Sequence, residues 1–122
     1  MLISVNEGST ARYSTTLLKD SGAPVTSAEL TTLTLTLYDK NTGNILNGRD
    51  AVNVKNVAGG TFHATTGAFE MLFNALDNAV VGAPPNTPLI ERHIALFEAT
   101  WDSNGALNWE VEIDVRHLNL VP

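Results

Sequence analysis

The chain has 122 residues and a formal net charge of −6, with 43% hydrophobic and 16% charged residues, enough for one small domain around one core. Its seven basic residues are scattered singly, so there is no basic stripe of the kind nucleic-acid binding requires. The lack of cysteine excludes disulfides, thiolate metal sites and cysteine nucleophiles, and no apolar run approaches the ~20 residues of a membrane helix.

The polar content, 14 Thr and 12 Asn against three Lys, suits pleated strands joined by turns. The opening MLISVNEGST lacks a charged-then-apolar signal pattern, so neither secretion nor membrane insertion is expected. Residues 11–17 alternate weakly through Ala11, Tyr13, Thr15 and Leu17, and Asp20-Ser21-Gly22 turns the chain. The clearest strand is Leu30–Asp39, where Leu33, Leu35 and Leu37 alternate with Thr32, Thr34 and Thr36. Residues 39–43 form a turn leading to Ile45-Leu46, and Asn47-Gly48 turns again. Shorter strands are expected at 51–54, 61–64 and 69–73. Residues 74–81 allow at most one or two helical turns, and the prolines of 82–88 make a loop. Residues 89–101 and 106–121 are the last two long strands. With no linker or repeat, residues 1–122 read as a single all-β domain, an antiparallel β-sandwich of Ig-like or jelly-roll type.

The last two strands carry their apolar residues at odd positions: His93, Ala95, Phe97, Ala99 and Trp101 against Leu107, Trp109, Val111, Ile113 and Val115. A two-residue Asn104-Gly105 turn would split these sets across both faces. A loop of Ser103-Asn104-Gly105, with Gly105 at positive φ, keeps them together and pairs Trp101 with Leu107 and Phe97 with Val111. That register sets Glu98 opposite Glu110 and His93 near Val115.

No catalytic or metal constellation emerges. His63, His93 and His117 fit no compact ligand spacing, and His93 reads as a satisfied core histidine. Glu98, Glu110, Glu112 and Asp114 share the polar face; two facing carboxylates suit acid–base work or a hard cation, but the face reads first as solvated or as meeting a basic partner. The segments starting at Asp102 and Asp39 fail the calcium-loop pattern, having Ile113 and Asp50 at the twelfth position. Neither a GxSxG serine nor a phosphate-binding glycine loop occurs. The chain is therefore expected to be non-enzymatic, with no catalytic residue, cofactor or metal. Trp101 and Trp109 would stack on a sugar only if exposed, and their odd positions assign them to the core.

The segments LTTLTLTLYD, TGNILNGR (42–49), ERHIALFEATW (91–101) and EVEIDVRHLNL (110–120) together resemble small β-sandwich structural proteins of tailed-bacteriophage virions. The opening is similar to the N-terminal sandwich domain of phage baseplate upper proteins. The resemblance implies a non-enzymatic virion component assembled in the host cytoplasm. It would be a capsid decoration or cement protein bridging subunits of the major capsid protein, or a head–tail, neck or baseplate adaptor. It also implies a homo-oligomer, a trimer if three-fold sites are occupied. A carbohydrate-binding sandwich module is the competing class, and it would need a row of exposed aromatics that Tyr38 alone does not supply.

In the register above, Ile90 lies opposite Leu118 with Leu120 one step beyond. These apolar residues end a charged face. With Pro84, Pro85 and Pro88 they are the expected protein interface.

Overall fold

The computed structural model describes residues 2–81, 90–102 and 104–118. They form eight strands in two sheets: β1 (Leu2–Asn6), β2 (Ala11–Thr16), β3 (Leu30–Asp39), β4 (Val52–Asn53), β5 (Gly60–Phe62), β6 (Ala68–Phe73), β7 (Ile90–Trp101) and β8 (Gly105–Arg116). One sheet has the order β1-β8-β7-β3-β4 and the other β2-β6-β5. No helix occurs among the described residues. This is an all-β sandwich. Its strand order, with the second, fifth and sixth strands in one layer and the first, third, fourth, seventh and eighth in the other, is that of an immunoglobulin-type domain rather than a jelly roll.

The alternation in β3 does what its period requires. Leu33, Leu35 and Leu37 are fully buried between the sheets while the threonines face outward. From the facing sheet Tyr13, Phe69, Met71 and Phe73 fill the other side of the core. Phe97 sits at its centre. It stacks on Tyr13 at 5.7 Å and on Trp109 at 5.2 Å, and meets Phe69 and Phe73 edge-on. The Tyr13–Phe97 contact joins β2 to β7, the strands that a disulfide links in antibody domains of this fold. Here stacked rings, worth about 0.5–1.5 kcal/mol per pair beyond their buried area, make the junction.

One expectation of the fold is corrected. The sandwich is not wholly antiparallel, because β1, which the sequence pattern did not reveal, pairs in parallel with β8. Residues 74–81 hold a single turn, within the one or two helical turns that the sequence allows there at most. The Asn74 amide donates to Asp77 Oδ2 at 2.8 Å and the Asp77 amide to Asn74 Oδ1 at 3.0 Å, closing the chain on itself after one turn. After the 39–43 turn, Ile45 makes a single bridge to Tyr38.

The β7–β8 hairpin keeps the expected odd-with-odd parity but is offset by two residues. Trp101 pairs with Gly105, Ala99 with Leu107 and Phe97 with Trp109. Positive φ falls on Asn104, at 61°, not on Gly105. The physical reason is Trp101, whose indole lies across the Gly105 backbone. A Cβ at Gly105 would come within 1.8 Å of the indole Nε1. The glycine is a seat for the ring, a known way of covering a strand glycine with an aromatic.

Candidate interface

The outer face of the five-stranded sheet is built in rows that cross the strands. One row runs Leu2, Glu112, Ile94 and Tyr38, and the next holds Glu110, Leu96 and Thr36. Below the first row lie Ser4, Asp114 and Arg92. Ile94 is buried although it points away from the core, and it is not part of the inter-sheet cluster. Leu96 and Tyr38 are half-buried, and Leu2 is 54% exposed. A charge network spans the neighbouring positions. Lys40 Nζ is 3.2 Å from Glu112 Oε1, and Arg92 Nε is 2.7 Å from Asp114 Oδ1 and 3.7 Å from Glu112 Oε2. The hydrogen bond to Asp114, then the charges of Asp114 and Glu112, hold Arg92 above its ordinary pKa. Such exposed pairs contribute about 0–1 kcal/mol each, so they order the face more than they stabilise it.

The shifted register changes the acidic arrangement. Glu98 faces Asn108, and Glu110 faces Leu96. The two carboxylates sit diagonally, about 7–8 Å apart at their Cα atoms, rather than directly opposed. Among the described residues, no group of three or more His, Cys, Asp or Glu could hold a metal ion.

Of the residues expected at the interface, Ile90 is 49% exposed and faces Arg116, not Leu118. It lines a depression of about 190 Å³ with Ser4, Asn6, Asp114 and Arg116. Leu118 is half-buried, its amide donating to Glu7 Oε1 at 2.6 Å. Pro84, Pro85, Pro88 and Leu120 lie outside the described residues. Within the described residues, Ile90 and Leu118 are therefore not cross-strand partners, and the apolar positions nearest the middle of the face are Leu96 and Ile94.

Trp109 is half-buried and donates from Nε1 to the Tyr13 hydroxyl at 2.9 Å, so it belongs to the core as its parity predicts. Trp101 packs against the core and also lines an open pocket of about 320 Å³ with Asp20, Asp102 and Asn104 at the hairpin end.

Two buried polar pairs lie beneath the surface. Arg49 and Asp77 form a bidentate ion pair at 2.6 and 3.0 Å, with side chains 7% and 0% exposed. Twenty-eight residues separate them, and no local motif announces the contact. His93 is fully buried, its Nε2 2.6 Å from Glu91 Oε1, and it pairs with Ile113 rather than Val115. Its Nδ1 is without a partner among the described residues, as is Oδ1 of Asp39, the residue directly across from it on β3. The odd parity that buried His93 also contained Glu91, which is the signal that was available. His63, by contrast, is exposed and accepts the amides of Thr65 and Thr66 at 3.3 Å in a turn. His117 lies 3.7 Å from Glu7.

No protein-family model matches the chain, and no curated protein matches it. Among solved structures it is similar to the N-terminal Ig1-2 module of the Drosophila receptor protein tyrosine phosphatase DLAR, at 12% identity over 98% of this chain, with a TM-score of 0.42. The chain spans about half of that module, 47% of its length. It is also similar to the first Ig-like domain of human CD48 antigen, at 12% identity over 99% of this chain and 85% of that one, with a TM-score of 0.37.

Proposed function

We propose that the chain is a non-enzymatic structural protein of a tailed-bacteriophage virion, acting as a capsid decoration or cement protein that bridges subunits of the major capsid protein. The observation that carries this reading is the outer face of the five-stranded sheet, together with the resemblance of its strand segments to virion sandwiches. That face presents half-buried Leu96 and Tyr38 and exposed Leu2 within a mixed-charge surround. With strands of 12, 12 and 10 residues flanked by the shorter β1 and β4, it covers about 650 Å². One partner's share of a standard protein interface is about this size. An apolar centre with a polar rim is the composition such interfaces use. The net charge of −6 suits an outer position on a shell that holds DNA inside. The mechanism is surface burial and cross-bridging, with no covalent chemistry.

The test is co-sedimentation of the purified protein with capsids lacking it. Binding is expected to fall at least ~10-fold for Leu96→Ser with Leu2→Ser, while circular dichroism stays unchanged. Binding to isolated neck or baseplate assemblies and not to capsids would move the protein to the adaptor role. A second reading, a carbohydrate-binding module, is favoured by the Trp101 pocket with Asp20, Asp102 and Asn104. A glycan array distinguishes it, since only that reading expects a hit that Trp101→Ala abolishes.

A further inference from the structure

The two sheets end differently on their two sides. On one side the outermost strands are β4 and β5, two and three residues long, held close enough that a Cβ at Gly60 would strike the Val54 carbonyl oxygen at 1.8 Å. On the other side they are β1 and β2, five and six residues long and joined by a short loop. Within β2 the hydrogen-bonding direction can be fixed from its surroundings. The Leu17 amide donates to the Gly67 carbonyl at 2.8 Å, extending the β2–β6 register, so odd positions of β2 bond to β6. Across β6, Ala68 and Leu72 bond instead to His63 and Gly59, each at 2.9 Å, which confirms the alternation. The amides and carbonyls of Arg12, Ser14 and Thr16 therefore point out of the sheet edge. No described residue meets these backbone groups.

Natural sandwiches blunt such an edge with proline, lysine, a bulge or a covering segment. In β2 the sequence ARYSTT has no proline or lysine, the register with β6 runs without a shift, and Arg12 is engaged with Glu70 on the outer face. We propose that β2 pairs with β2 of a second copy of the chain, antiparallel about a two-fold axis through Ser14, continuing the three-stranded sheet into six strands. The outward groups are self-complementary in that register. Ser14 meets the second copy's Ser14, Arg12 meets its Thr16 and Thr16 its Arg12, and each of these three pairs exchanges two backbone hydrogen bonds. No like charges oppose each other. A head-to-tail ring would instead have to join this six-residue edge to the three residues of β5, leaving half its groups unpaired. The contact closes as a dimer, in place of the trimer expected from three-fold capsid sites, and it does not depend on what the outer face of the five-stranded sheet binds.

Ser14→Pro is the direct test. Its amide makes no bond to β6, so proline removes only an outward donor, a position where edge strands accept it. Light scattering across a concentration series should show a wild-type dimer whose dissociation constant rises about 30-fold or more in Ser14→Pro, from the two central hydrogen bonds alone. Hydrogen exchange on the wild type supplies a check that needs no variant. Protection of the Arg12, Ser14 and Thr16 amides should increase with protein concentration, while that of Tyr13 and Thr15 should not change. A monomer at all concentrations, or a dimer in which those three amides exchange freely, overturns the proposal. So does a monomer whose Ser14→Pro form loses binding to another protein, since the occupant would then be a foreign strand.

Discussion

The Arg49–Asp77 pair permits a quantitative test of how this sandwich closes at its loop end. The Asp77 carboxylate accepts four hydrogen bonds: two from Arg49, one from Asn47 Nδ2 at 2.9 Å and one from the Asn74 amide at 2.8 Å. Asp77→Ala removes all four bonds and leaves a buried guanidinium with only the Ala58 carbonyl, at 3.0 Å. Uncovering one member of a buried ion pair costs about 3–5 kcal/mol. A domain of this length has roughly 6–18 kcal/mol in total, so the variant should remain folded but visibly weakened. At about 4 °C per kcal/mol for this size, the melting temperature should fall about 12–20 °C. Arg49→Met together with Asp77→Leu should recover all but about 1–3 kcal/mol, because both charges leave the interior together and what loses its partner is neutral: the Asn47 and Asn74 donors and the Ala58 carbonyl. Urea unfolding of the wild type, both single variants and the double variant gives the cycle. A single-variant loss below about 1 kcal/mol, or a double variant no better than Asp77→Ala, refutes the reasoning.

Glu29 is held below its ordinary value of 4.5 by hydrogen bonds from Lys19 and Thr26, so its ionised form is favoured in the folded state. Its contribution is therefore fully present above pH 4.5 and is lost as pH falls through the lowered folded value; Glu29→Gln should flatten that part of an acid-unfolding curve. Gly60→Ala forces a methyl group onto the Val54 backbone, and urea unfolding should show a loss of at least about 1–3 kcal/mol. Phe97→Ala removes the ring that four aromatic neighbours share and should cost about 3–5 kcal/mol by the same assay, with loss of the near-ultraviolet dichroism of Trp109. With no cysteine in the chain and no metal-binding cluster among the described residues, thermal unfolding should not respond to reductant or EDTA; a shift of several degrees with EDTA would point to a bound cation.

What the sequence made legible follows the range of each interaction. The face of β3 was readable because alternation is a property of adjacent residues, and Leu33, Leu35 and Leu37 are all buried as that pattern requires. Hairpin parity was readable too, since a slip of one would have exposed Val111, Ile113 and Val115. A slip of two preserves every facing and is invisible to pattern. The observed register seats the Trp101 ring on Gly105, a contact that pattern does not encode, and with it come the positions of Glu98 and Ile90. The strand β1 was missed because it is short and half-exposed, and its partner β8 lies more than a hundred residues away. Arg49 and Asp77 were unreadable for the same reason: their meeting is a result of the fold, not of local spacing.

The parallel pairing of β1 with β8 has a mechanical meaning. Leu2 lies beside Glu112 and Asn6 beside Arg116, so the chain enters this strand pair at one end of the sandwich and leaves it at the other. Tension applied through the two flanks runs along both strands in opposite senses and drags one past the other. A hairpin pulled at its open end unzips, because each hydrogen bond bears the force in turn. Here the bonds lie across the pull and resist together, as do the contacts of Ile3 and Val5 with the core beneath them. A tether at each end of the domain therefore meets its resistance in a ladder that must fail as a unit.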